Sequence, residues 1–287
     1  MTKKIALITY AGLLNGAESE RLVLPHLVAA GVEASIVDWN AACDFAQFDL
    51  VILRTCWDYH LRGAEFTGWL QRTAQEVPIL NNVETVLWNR NKLYLRELQA
   101  LGIHIAPTMF VSGGESVQTE EWQHVREWQK VVVKPAVSAT AYKTWLFEGA
   151  MLPDEDALKR KMQGEPFLVQ QFIPEIETQG EISFIYLDGV YSHAVLKRPA
   201  VGDFRVQKDF GGSAEAIVPS AALVEQAQAI AAAIKYVDDS LYCRIDAVEK
   251  DGQLILMEVE LIEPELFLGL AEGTAERFAK AIVRRMR

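Results

Sequence analysis

Hydrophobic residues follow two rhythms along this chain, and the rhythm changes partway. In the first eighty residues, short apolar runs alternate with stretches of helical period. Residues 4–9, 33–38, 50–54 and 77–80 read as strands, the first a buried one. Residues 19–30 read as a helix, with Ser19 as its N-cap, Gly31 as its stop and Pro25 as an internal interruption able to kink it. Residues 64–75 form a second helix. This strand–helix–strand order predicts a small parallel sheet with helices on its faces, an α/β unit.

Beyond Asn82 the pattern loosens. One helix is predicted over 83–101, capped by Asn82 and stopped by Gly102. Residues 103–111 are extended, 120–129 helical, and 130–134 a β-branched strand ended by Pro135. A small, polar stretch covers 136–144, a helix 154–162, and a strand 167–173. Two hairpins follow. One pairs 181–187 with 190–196 about Asp188-Gly189, the other 242–249 with 253–261 about Asp251-Gly252. Between them lies an alanine-rich helix, 221–234, and a last helix spans 274–285. This half is α+β, and the boundary falls near 81–84.

Composition narrows the function classes. A chain of 287 residues holds two or three packed units. With 28 basic and 39 acidic residues, its net charge of −11 disfavours a broad nucleic-acid interface but leaves room for a local phosphate cleft. Three separated cysteines with no CxxC pair argue against a disulfide framework. The first apolar run is too short for a signal core or a membrane span. A reduced, cytoplasmic protein without membrane association is expected. Its five histidines show no zinc spacing, and the turn at 11–16 matches neither GxGxxG nor a P-loop.

Candidate chemistry begins at the last hairpin. Side chains two apart in a strand share a face, so Glu258 and Glu260 project together, with Met257, Val259 and Leu261 on the other side. Asp246 on the partner strand is placed to join them. Carboxylates ~4 Å apart repel by roughly 4 kcal/mol at an effective dielectric near ~20, which a hard cation relieves. A solvated acidic face is the plain alternative. Lys134 ends an apolar strand before the small-residue loop, and Lys92 stands in the helix that opens the second half. Either lysine alone reads equally as surface charge. Gln170, Gln171, Phe172 and Ile173 end a strand at Pro174, an edge able to hold a flat base or simply to stop. Arg198 and Arg205 flank a turn-rich loop suited to phosphate or carboxylate, or to solvent. After the third strand, Arg54, Trp57 and Asp58 offer a carboxylate partner, a wall and an amine partner. The plain reading there is a capping Asp58 beside a core Trp57.

Taken in order, these features resemble the ATP-grasp superfamily. The likeness is nearest to its glutathione synthetase-like branch and to the D-cycloserine-forming cyclo-ligase, and it runs over essentially the whole chain. It implies an ATP-grasp fold behind a small parallel-sheet domain: 1–83 on the acceptor side, 84–167 as a central lid domain, and 168–287 carrying the metal site. Lys92 and Lys134 would contact ATP phosphates, and Ser138 and Thr140 would belong to the lid. Gln170 to Ile173 would line the adenine pocket, and Glu181 would hold the ribose. Arg205 would steady the transferring phosphoryl group, with Arg198 a second candidate for the acceptor carboxylate. Asp246, Glu258 and Glu260 would hold Mg²⁺ or Mn²⁺. Two features depart from the family. Glu260 stands where an Asn is usual, and the loop 136–144 contains no glycine. The implied activity is an ATP-dependent carboxylate–amine ligase working through an acyl phosphate on a small amino-acid-like substrate, in a chain able to form homo-oligomers. A kinase of the same fold and a non-catalytic ATP-binding protein are the alternatives.

Overall fold

The computed structural model describes residues 2–112 and 117–286. β1 (Lys3–Thr9) lies inside a parallel sheet ordered β2 (Val32–Asp38), β1, β3 (Leu50–Leu53), β4 (Ile79–Leu80). Helices cover both faces, which is why Ile5 to Thr9 are buried without alternation. On one face α2 (Gly63–Glu76) packs Phe66, Trp69 and Leu70 against Ile8, Val51 and Leu53. On the other, α1 (Glu18–Ala29) packs Val23 and Leu27 against Ile5 and Leu7. Ser19 does not cap α1. The cap is Ala17, whose N–H donates to the Glu20 carboxylate at 2.8 Å, and Pro25 sits inside the helix.

The single helix expected over 83–101 is two: α3 (Val83–Asn89) and α4 (Tyr94–Ala100). Asn82 does cap α3, accepting from Thr85 N–H at 2.9 Å. The break arises because Asn91 Oδ1 takes the Leu93 N–H at 3.1 Å, while the Lys92 N–H donates to the Ala136 carbonyl at 2.8 Å. Short polar side chains compete in this way with the helical ladder. Lys92 therefore stands at a corner rather than on a helix face.

A second sheet, antiparallel, is ordered β5 (Thr108–Val111), β8 (Phe167–Gln171), β6 (Lys130–Pro135), β7 (Trp145–Glu148). Val131, Val133 and Val169 pack on Trp122 and Val125 of α5 (Thr119–Glu127) and Leu158 of α6 (Glu155–Lys161). β7 had no clear signature in the sequence, and the boundary expected at 167/168 falls inside β8. After α7 (Glu175–Thr178) comes the third sheet, ordered β11 (Ser213–Ile217), β10 (Val190–Arg198), β9 (Glu181–Leu187), β12 (Tyr242–Lys250), β13 (Gln253–Glu260). One face packs on α4 and α8 (Ala221–Ala233), with Leu95, Phe184, Ala227, Ile245 and Leu256 in one core. The other face meets α9 (Thr274–Arg285), whose Phe278 and Ile282 also reach Ile5 and Leu7. The C-terminal helix thus joins the third sheet to the first. Among the described residues no helix is long and apolar enough to cross a membrane.

Both hairpins of the third sheet carry a bulge. In β9–β10 the pairing steps from Tyr191–Tyr186 to His193–Ile185, leaving Ser192 as the extra residue. In β12–β13 it steps from Ala247–Leu256 to Asp246–Glu258, leaving Met257 extra. A one-residue step exchanges the two faces of everything beyond it.

Candidate active site

A cavity of about 730 Å³ opens between the second and third sheets, with loops of the first closing one end. The third-sheet wall owes its chemistry to the bulges. Counting straight from the Asp188-Gly189 turn would set Glu181 opposite Leu196 and put Arg198 on the Glu181 face. The extra Ser192 brings Lys197 opposite Glu181 instead. Lys197 Nζ lies 2.5 Å from Glu181 Oε1 and 3.0 Å from Asp246 Oδ2. Gly180 permits this approach, since a Cβ there would meet the Lys197 carbonyl at 2.5 Å. Met257, expected on the far side, is turned by its bulge into the cavity.

Arg244 is the hub of this wall. Its Nη2 lies 2.9 Å from Asp246 Oδ2 and also bonds Glu260, and its Nη1 donates to the Glu265 carbonyl at 3.1 Å. Asp246 accepts from Ser183 Oγ at 2.6 Å as well. Burial works against ionisation of Asp246, but Arg244 and Lys197 hold its carboxyl well below the usual range. The same carboxylates keep Lys197 charged against the cost of its own burial. Glu260 is different. Burial, supported by the Asp246 and Glu258 charges and opposed by Arg244, pushes it up to about 7. Burial also raises Glu181 and Glu263, the latter with help from Glu260.

The opposite wall is β6, the loop 136–144 and the end of β8. Lys92 crosses between the walls. Its Nζ donates to the Ser138 carbonyl at 2.6 Å and lies 3.1 Å from Glu258 Oε1. Lys134 lines the cavity without a hydrogen-bond or ion-pair partner among the described residues, and burial lowers its pKa. Thr140 is exposed on the loop. Val132, Phe172, Ile173, Val206 and Met257 make an apolar slot at this end. Gln170 and Gln171 also line it, with Gln170 Nε2 donating to Thr108 Oγ1 at 2.9 Å. Arg205 sits at the mouth, forked onto Asp203 at 2.7 Å and stacked over Phe210 at 3.6 Å.

All but three of the expected site residues line this one cavity. The exceptions are corrections. Arg198 points out of it, half-exposed and paired with Glu215, because of the bulge at Ser192. Arg54 is 1% exposed, 3.1 Å from Glu20 and close over Tyr242 and Phe278, where it ties the first sheet to the C-terminal half. Asp58 accepts from Trp39 Nε1 at 2.8 Å and belongs to the N-terminal domain's own packing. Of that trio only Trp57 reaches the cavity, its Nε1 donating to the Glu263 carbonyl at 3.0 Å. Lys197, Arg244 and Glu263 were missed. Arg244 was visible as the alternate-position neighbour of Asp246, whereas Glu263 follows a strand with no periodic signal.

Among the described residues no three His, Cys, Asp or Glu side chains gather as a metal site. Asp246 lines the same wall and is bonded there by Arg244, Lys197 and Ser183, as Glu260 is by Arg244. Glu258 and Glu260 remain half-buried on the cavity side. Burial is the main reason Glu260 is raised, with the Asp246 and Glu258 charges adding to it against Arg244 and Lys197, and Mg²⁺ commonly takes one or two carboxylates and completes its shell with phosphates and water. The pair fits such an ion.

Comparisons with known proteins agree with this architecture. Residues 5–81 match the family described as D-cycloserine synthetase DcsG, N-terminal domain, and residues 97–266 match the RimK-like ATP-grasp domain. Over 280 residues the chain is 29% identical to the cycloserine biosynthesis protein DcsG of Streptomyces lavendulae, covering 92% of this chain and 94% of that one. It is 27% identical over 183 residues to glutathione synthetase of Rhodopseudomonas palustris, covering 61% and 54%. The crystal structure of D-cycloserine synthetase DcsG superimposes with a TM-score of 0.86 at 26% identity, over 99% of this chain and 100% of that one.

Proposed function

The chain belongs to the RimK-like ATP-grasp family, and we propose that it phosphorylates the carboxylate of a small amino-acid-like substrate and passes the acyl group to an amine. The enzyme is an ATP-dependent ligase. The observation that carries the finer reading is the cavity itself. It sets an apolar slot, a lysine with no side-chain partner among the described residues and a network of paired charges around one space large enough for a nucleotide and a small acceptor.

Val132, Phe172, Ile173, Val206 and Met257 receive the adenine. Glu181 uses Oε2, which has no protein partner among the described residues, for the ribose. Lys134 and Lys92 hold phosphates, with Lys92 leaving Glu258 or sharing it. Glu258 and Glu260 would hold the divalent ion, Mg²⁺ in this proposal, which when bound offsets the negative charge of the phosphates. A substrate carboxylate oxygen attacks the terminal phosphorus and ADP leaves. The amine then displaces phosphate from the acyl phosphate, losing a proton as the amide forms. Arg205 stands at the mouth as a further cation for the moving phosphoryl group. The loop 136–144 closes over the reactants and keeps water from the acyl phosphate.

The test is incubation with Mg–ATP and a panel of amino acids and their derivatives. Substrate-stimulated ADP and phosphate, with an amide product by mass spectrometry, is the expected result. AMP and pyrophosphate would point to adenylation and overturn the mechanism. A phosphorylated hydroxyl would mark a kinase.

A further inference from the structure

Six carboxylates of the cavity are not solvent-exposed, and five of them have partners. Lys197 holds Glu181 and Asp246, Lys92 holds Glu258, Arg244 holds Glu260, and Ser19 bonds Glu265. Glu263 has no side-chain partner among the described residues, although it lines the same space. Its position is nonetheless set firmly. The Glu263 carbonyl accepts from Trp57 Nε1 at 3.0 Å, the Pro264 carbonyl from Arg54 Nη2 at 3.2 Å, and the Glu265 carbonyl from Arg244 Nη1 at 3.1 Å. Three consecutive carbonyls are therefore clamped by donors from both halves of the chain. Clamping of this kind fixes a side chain's origin and lowers the entropy lost when it binds something.

The surroundings of Glu263 suit a contacting cation that the described residues do not supply. Besides burial, the Glu260 and Glu258 charges act against its ionisation while Lys92 and Arg244 favour it from a distance, and its own charge acts on Cys56 and Tyr59. No lysine or arginine lies within ion-pair distance among the described residues. Trp57 and Tyr59 line the same end, and aromatic faces attract ammonium groups. This end belongs to the N-terminal loops, away from the apolar slot. Leaving a carboxylate there without a partner is costly unless a ligand completes it.

We propose that Glu263 receives the ammonium group of the amino-acid substrate. The assignment rests on the ligase reading above, and it narrows the substrate to a molecule with a free, protonated amine. Glu263 is an amine-binding residue in this account, and selects free amines over acylated ones.

Both enantiomers of alanine and serine, and their N-acetyl counterparts, serve as probes with Mg²⁺ and AMP-PNP. Binding is followed by thermal shift and titration calorimetry, and ADP release is followed separately with ATP. At least one free-amine probe is expected to bind the wild type, with its N-acetyl form failing. Glu263→Gln is expected to weaken that probe at least ~10-fold, with AMP-PNP affinity within ~2-fold and Glu263→Asp in between. Equal binding of N-acetyl probes, unchanged probe affinity in Glu263→Gln, no binding of any probe to the wild type, or a change confined to Mg²⁺ dependence each overturns the assignment. Glu263-dependent binding without ADP release from any probe would instead overturn the ligase reading and leave this one standing.

Discussion

The two walls of the cavity solve the same electrostatic problem differently. On the third-sheet wall, Lys197 and Arg244 are locked onto Glu181, Asp246 and Glu260 within the protein. On the lid wall, Lys134 has no partner among the described residues, and burial depresses its pKa. The adjoining loop holds three non-glycine residues in the left-handed region, Thr140 at φ 51°, Ala141 at 53° and Lys143 at 50°. Lys92 bridges the two, bonded to the Ser138 carbonyl and to Glu258. One wall spends its charges on folding and stays where folding puts it. The other keeps a cation and some strain in reserve, as expected of a surface that must meet a ligand and close on it.

Removing the hub of the paired wall should have the largest effect. Arg244→Ala leaves Asp246 with less compensation and frees Glu260, and should cost about 3–5 kcal/mol in urea unfolding. A cost under ~1 kcal/mol would mean that the wall is not held by its charges. Lys134→Ala should do the opposite, dropping kcat/KM for ATP about 100-fold while urea unfolding changes by less than ~1 kcal/mol. Equal losses of stability in the two variants would erase the distinction between the walls.

Glu260 tests the paired wall more finely. Its folded pKa, about 7, lies above the ordinary 4.5. The unfolded chain releases this proton first as pH rises, so the group disfavours folding increasingly between about 4.5 and about 7, and the effect is constant above that. Without metal or nucleotide, Glu260→Gln should gain on the wild type over that window, by on the order of 1–3 kcal/mol. A difference independent of pH would count against it. The smallest effect belongs to the lid. Ala141→Gly relieves a left-handed alanine and should stabilise by about 0.5 kcal/mol, the reverse of an ordinary Ala→Gly change. Thermal unfolding of the two proteins reads the sign.

Much of this site was legible before any coordinates. Strand alternation paired Glu258 with Glu260, the Val131–Val133 run placed Lys134 before its loop, and Asn82 announced the start of α3. The errors share a cause. Arg198 was preferred to Lys197 for its forked guanidinium beside a turn-rich loop, and the bulge at Ser192, which turns Lys197 to the Glu181 face instead, leaves no mark in the sequence. Arg54 and Asp58 sat in the loop where an acceptor belongs, yet partners distant in sequence, Glu20 and Trp39, took them inward. Glu263 was overlooked because a segment after a strand has no period to betray which way it points.

Local chemistry along the chain determined which residues form strands, where a hairpin turns and which cations stand near loops. These depend on neighbours a few positions away, and periodicity reports them directly. Which face of each hairpin meets the cavity was decided only by the extra residues at Ser192 and Met257. Register has a period of two, so one inserted residue reverses every side chain beyond it, and only packing of the whole sheet against α4, α8 and α9 selects between the two outcomes.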